Sequence, residues 1–249
     1  MRRVLFHLWG RPIHSYPAML YVGLVVGVGA SNVAAHVAGI DAFRTYVATI
    51  ALIIPSLIGA RLLHVATHWK IYRRDRSRIW DLSEGGMAQY GGLVLGVPLS
   101  VPLLNALNVP FGAFWDISSF TMLVGMIFTR FGCLLNGCCS GRPSTIRGTM
   151  YLPNHRGVWE NRIPTQLLEA GLAVLLLSSS VLIWQRLPFP GALFLFVTAG
   201  YASGRLLLES SRDLADTQRR FTIHHAISLL IIALSIAALT TGSLSRASS

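Results

Sequence analysis

Lysine is nearly missing from this 249-residue chain, in which Lys70 is the only one. Charge of either sign is scarce, at 12% of residues, with 10 Asp+Glu in all. A soluble domain carries about a quarter charged residues, so an ordinary water-soluble domain is excluded. Cysteine is limited to Cys133, Cys138 and Cys139, with no CxxC pair and no nearby histidine. That spacing argues against a metal centre. Cys138 and Cys139 can bridge only through a strained ring, whereas Cys133 with Cys138 is sterically feasible. The simplest reading is three small, buried apolar residues. Internal repeats, low-complexity linkers and a soluble domain are not found. The opening MRRVLFHLWGRPIHSY is too polar for a cleavable leader and lacks a small-residue cleavage site.

Arginine takes the place of lysine. The 21 Lys+Arg against 10 Asp+Glu leave a formal charge of +11 in a chain that is 53% hydrophobic. The guanidinium fork matches phosphate oxygens in a bidentate way. In a lipid-solvated chain this points to anionic head groups. Nucleic acid is disfavoured as a partner, because no soluble basic face is available. Arginines that only orient and anchor helices at the interface are the plainer alternative.

Apolar windows of roughly 20 residues are needed to cross a bilayer. They fall at 17–37, 46–65, 91–107, 114–135, 167–184, 189–208 and 223–240. We therefore expect an all-α polytopic membrane protein with about seven transmembrane helices. It would be one helical domain over 1–249, with a short polar N-terminal segment 1–15 and a flexible tail 242–249. The third span contains Pro98 and Pro102, so a tilted or broken helix is expected there. Basic residues gather on alternate loops, around Arg2, Arg3 and Arg11, Lys70 to Arg78, Arg142 to Arg162, and Arg212 to Arg220. The positive-inside rule makes that side cytoplasmic.

Unusual polar groups end the helices on the same side. HSYPAML opens the first span with Tyr16, and IGARLLHV closes the second with Arg61. EGGMAQYGG leads into the third, and the fourth closes in TRFGCLLNGCCSGRPS. RIPTQLLE starts the fifth span, and GRLLLESSRD places Arg205 four residues before Glu209. Ionisable groups at such depth mark a bundle interior or wet cavity, and by default a functional site. We expect a polar, Arg-lined cavity opening towards one face. Each signal has a plainer counterpart: an Arg205–Glu209 structural ion pair, close packing by glycines, or interfacial aromatics.

In order and spacing, these segments resemble the prolipoprotein diacylglyceryl transferase family, from about Ile13 to Leu239. Arg130, Gly132, Asn136 and Gly141 match its central motif. SYPAMLY, GGMAQYGGLVLG, PTQLLE and GRLLLESSRD are similar to the others. Thr129, Cys133 and Cys138 depart from the family's glycine, asparagine and glutamate. Tyr90 and Ile163 replace histidines, and Leu168 replaces a tyrosine.

The resemblance implies transfer of a diacylglyceryl group from phosphatidylglycerol to the thiol of a lipobox cysteine. A thioether forms and glycerol phosphate leaves, without a cofactor or metal. Arg130 and Arg205 would hold the phosphate, Glu209 would orient Arg205, and Asn136 would give a neutral hydrogen bond. Gly91, Gly92 and Gly141 would admit backbone or lipid closely. Tyr16, Arg61, Arg142 and Gln166 would line the lipid site, and Tyr90 is the candidate proton acceptor in the histidine's place. The implied partners are phosphatidylglycerol, prolipoproteins and bulk membrane lipid; the oligomeric state is left open. The implied location is the bacterial inner membrane with the active face periplasmic, opposite to the charge count. A paralogue serving another acceptor, and a non-enzymatic transporter or lipid-binding scaffold, are the alternatives.

Overall fold

The computed structural model describes residues 2, 4–73, 75–79, 89–153, 157–209, 211 and 223–247. Most of the EGGMAQYGG stretch, much of the long basic second loop, and Arg212, Arg219 and Arg220 lie outside the described residues. Helices dominate: α1 (Ser15–Val37), α2 (Ala42–Thr67), α3 (Trp69–Tyr72), α4 (Gln89–Leu107), α5 (Phe111–Asn136), α6 (Thr165–Ile183), α7 (Ala192–Glu209) and α8 (Ile223–Ala247). Among the described residues, seven helices are long and apolar enough to cross a membrane. Tyr21, Val25, Val33, Leu175, Leu182 and Leu207 are exposed on them. Large apolar side chains turned outward on spanning helices are what a hydrocarbon solvent permits and water does not.

Three features add detail to the expected spans. α4 runs unbroken through both Pro98 and Pro102. α8 continues to Ala247, so most of the expected tail is helical. Two small antiparallel hairpins also join the helices: β1 (Val4–Leu8) with β2 (Arg11–His14), and β3 (Met150–Pro153) with β4 (Trp159–Arg162). The first occupies the segment read only as polar. Its turn places Trp9 and Gly10 at φ 49° and 75°, the pair of positive angles that suits the twist of a two-residue hairpin loop.

The chain divides into two compact units. One is Ala35–Phe114; the other joins Met1–Ala34 to Trp115–Ser249. Within Ala35–Phe114, α2 and α4 meet backbone to backbone at Gly59 and Gly91: a Cβ on either would run into the other's carbonyl oxygen. Small residues permit this approach, which is how membrane helices pack without a hydrophobic drive. Arg44 Nη1 donates to the Leu107 carbonyl at 3.3 Å, closing the end of α4.

In the larger unit α1 lies against α5, where Thr121 Oγ1 donates to the Gly27 carbonyl at 3.0 Å. α6 meets α7 where Leu172 covers Gly204, and α7 meets α8 where the Thr198 and Ser235 hydroxyls lie 3.4 Å apart. Asp116, near the start of α5, accepts the backbone N–H of Gly191 at 2.7 Å and of Phe194 at 2.9 Å. It caps α7 from another helix, satisfying donors that a helix start leaves open. Asp116→Ala should therefore destabilise the protein by about 1–2 kcal/mol, read as a lower melting temperature in detergent, with Asp116→Asn retaining most of the stability.

Candidate active site

Four helix ends of the larger unit supply the site: the start of α1, the end of α5, the start of α6 and the end of α7. Arg130 stands near the end of α5 and Arg205 near the end of α7, and both point at Glu169 in the first turns of α6. Arg130 Nη2 pairs with Glu169 Oε2, and Arg205 Nη1 lies 3.5 Å from Glu169 Oε1. Glu209 is a weaker partner of Arg205, at 4.0 Å. The Glu169 side chain is 2% exposed and the two arginines 13% and 14%. One carboxylate thus holds two guanidiniums of like charge together in a nearly dry place. Arg130 Nε is buried and has no hydrogen-bond partner among the described residues. A buried N–H donor of a cation left without an acceptor is costly, so this atom is suited to meet an incoming oxygen.

The surrounding groups are placed by local backbone bonds. After α5 the chain turns and pairs with the segment before α6: Gly141 N–H donates to the Ile163 carbonyl at 2.9 Å, and Ile163 N–H to the Arg142 carbonyl at 3.2 Å. Arg142 N–H reaches the Ser211 carbonyl at 2.9 Å, tying in the end of α7, while the Arg142 side chain is exposed. A Cβ at Gly141 would lie within 2.7 Å of the Ser211 oxygen, Thr165 Oγ1 and the Ile163 oxygen, so only glycine fits that crossing. Arg162, 3% exposed, donates from Nη1 to the Gly141 carbonyl at 3.2 Å and from Nη2 to Glu160 Oε2 at 2.6 Å. It braces the turn.

Gln166 Nε2 donates to the Cys138 carbonyl at 2.6 Å, and its Oε1 is buried without a hydrogen-bond partner among the described residues. Asn136 reaches the Cys138 thiol. Tyr16 packs its backbone on Gly132 and interacts electrostatically with Arg130 and all three cysteines. The structure thus brings Tyr16, Arg130, Asn136, Gly141, Gln166, Arg205 and Glu209 to one end of the unit. The cysteines are not uniformly buried as expected: Cys133 is buried, Cys138 half-buried and Cys139 exposed, all as thiols. Its bond with Cys133 lowers the Cys138 thiol's pKa, but a bond with Cys139 and burial together push it up to about 11.

Arg61, Tyr90, Gly91 and Gly92 belong to the smaller unit. Arg61 is 2% exposed, donates from Nε to the Ile79 carbonyl at 2.7 Å, and lies over the Tyr72 ring, 5.4 Å from its centre. Tyr90 is buried at the start of α4, Gly91 is spent on the contact with Gly59, and Gly92 faces the Ser56 backbone.

The sequence profile of the prolipoprotein diacylglyceryl transferases matches residues 3–241. The chain belongs to that family. Similar relatives include the phosphatidylglycerol–prolipoprotein diacylglyceryl transferases of Streptococcus pyogenes serotype M5 (strain Manfredo) and serotype M49 (strain NZ131). Each is 28% identical over 236 residues, which cover 88% of this chain and 87% of the relative.

Two site residues of this family member escaped the sequence reading. Glu169 ends the quoted PTQLLE motif, one turn beyond Gln166, yet Glu209 was preferred because it shares a helix with Arg205. Tyr201, one turn before Arg205 on α7, is buried and interacts electrostatically with both guanidiniums. An i, i+4 tyrosine–arginine pair was the signal available. Glu169→Gln should take the paired carboxylate from Arg130 and leave Arg205 only the weaker Glu209, costing about 3–5 kcal/mol. Thermal melting in detergent checks this, with a smaller loss expected for Glu209→Gln.

Proposed function

We propose that the protein moves a diacylglyceryl group from phosphatidylglycerol to the thiol of a lipobox cysteine in a prolipoprotein. The convergence of Arg130 and Arg205 on Glu169, with the buried Arg130 Nε unmet, carries this reading. In the reaction a thiolate sulfur bonds to the glyceryl carbon that bears the phosphate. The carbon–oxygen bond breaks, and glycerol phosphate departs with the electron pair. Charge therefore grows on phosphate oxygens in the transition state. Fixed cationic donors in a water-poor site stabilise such charge strongly, and a guanidinium stays charged at every relevant pH. Glu169 holds the arginines ready through Arg130 Nη2 and Arg205 Nη1, and leaves the buried Arg130 Nε for a phosphate oxygen.

Incubating the purified protein with phosphatidylglycerol and a lipobox peptide should give the diacylglyceryl-peptide mass. Arg130→Ala and Arg205→Ala should each reduce that product by about 100- to 1000-fold while the protein stays folded. Near-normal transfer by both variants would remove the arginines from the reaction.

The same reading sets the protein in the bacterial inner membrane with this end periplasmic, where exported prolipoproteins arrive. The opposing loop count loses weight at Arg162, which is buried and bonded to Gly141 and Glu160 rather than free in a loop. A phosphatase reporter fused after Arg142 should be active and one at the C-terminus silent; the reverse pattern would rule out this orientation.

A further inference from the structure

Neither arginine can accept the acceptor thiol's proton, and that gap coincides with a second cluster in the same unit. The Sγ atoms of Cys133, Cys138 and Cys139 all lie within 4.8 Å of one another. The backbone puts them there. Gly137, at φ 73°, ends α5 with two bonds: its own N–H to the Leu134 carbonyl at 3.2 Å, and the Cys138 N–H to the Cys133 carbonyl at 3.1 Å. That pattern folds the residue after the glycine back over the third residue from the helix end, so Cys138 returns to Cys133. Cys139 then takes φ 62°, a left-handed conformation that favours glycine or asparagine over a side chain such as cysteine. The strained angle turns the third sulfur towards the other two.

Among the described residues the three thiols are joined by no histidine or carboxylate, and together they form a soft donor set. Zinc binds thiolate at about 2.3 Å, placing sulfurs of a tetrahedral site roughly 3.8 Å apart, which small side-chain rotations reach from the observed spacing. With three protein ligands a tetrahedral ion keeps one open position, as catalytic rather than structural zinc does. The triangle has one wet corner, at the exposed Cys139. Its inner part is held from outside, by Asn136 on the Cys138 thiol and by Gln166 on the Cys138 carbonyl at 2.6 Å, as outer partners hold metal ligands. Arg130, one turn before Cys133 on α5, interacts electrostatically with Cys133 and Cys139.

We propose that Cys133, Cys138 and Cys139 bind one zinc ion whose open position takes the acceptor cysteine as a thiolate, beside the phosphate held by Arg130. The inference rests on the transferase reading above. On coordination the acceptor thiol gives its proton to water, because zinc binds the deprotonated form. The zinc-bound sulfur then uses its electron pair on the glyceryl carbon, the carbon–oxygen bond breaks, and glycerol phosphate leaves with that pair. Zinc is neither oxidised nor reduced.

The test uses the full chain in detergent, loaded with zinc or cobalt(II). One metal per chain is expected, with a near-ultraviolet thiolate-to-cobalt absorption that is lost in Cys139→Ser, an exposed position unlike the helical Cys133. A lipobox peptide should shift the visible cobalt bands, and its Cys→Ser version should not. Chelation should lower transfer at neutral pH by about ten- to thirtyfold, since a free thiol is only a few per cent thiolate there, and steepen its rise towards the thiol's own pKa. Phosphatidylglycerol binding, followed by native mass spectrometry, should be unchanged. A chain that takes up no metal, a disulfide between two of the three thiols, cobalt bands indifferent to the peptide thiol, or transfer untouched by chelation would each overturn the zinc site. A metal-loaded chain whose bands respond to the peptide but which never lipidates it would uphold the thiol site and sink the transferase reading instead.

Discussion

Two guanidinium groups cannot be buried side by side among apolar helices unless something of opposite charge sits between them. Here it is the Glu169 carboxylate, shared by Arg130 and Arg205. The arrangement costs desolvation on three charges, and replacing a buried ion network by apolar side chains is often neutral or stabilising. Its presence is therefore better explained by what it offers a ligand than by what it adds to stability. The charges belong to α5, α6 and α7, so the bridge also sets how the ends of those three helices meet. The rest of the larger unit serves that meeting.

The turn after α5 shows how. Gly141 threads between Ile163, Thr165 and Ser211 where no Cβ fits, and Arg162 clamps its carbonyl. At the other end of the bundle Asp116 fixes the start of α7. A helix pinned at its first turn and bridged near its last has little freedom to slide, which keeps Arg205 opposite Arg130. Preorganisation of this kind is what allows fixed charges to stabilise a transition state without reorganising during the reaction.

The cysteine-rich turn shares the helix end with this bridge. Arg130 and Cys133 are one turn apart on α5, and Gln166, which holds the Cys138 carbonyl, is one turn from Glu169 on α6. The charge cluster and the sulfur cluster thus lie next to each other, although neither motif alone would suggest the other. The same capping turn that ends the helix gathers the thiols.

Hydrophobic run length was enough to place all seven spans within a few residues, because twenty apolar residues have few options but to cross a bilayer. The arginine bias and the glycine and polar motifs at helix ends pointed to an anionic-lipid site for the same reason: such groups are tolerated in a membrane only in a polar interior. The prolines do not break α4, since neighbouring groups can absorb a missing helical bond inside a membrane bundle, and the N-terminal hairpin was hidden by a Trp9–Gly10 turn whose conformation is written in backbone angles. Which acid meets which arginine was decided only in three dimensions. Glu209 is near Arg205 along the helix, but Glu169 is near it across helices, and sequence distance measures only the first. The sulfur triangle was likewise invisible to a spacing rule built on CxxC pairs, because a glycine cap and a left-handed cysteine, rather than a ligand repeat, bring the atoms together.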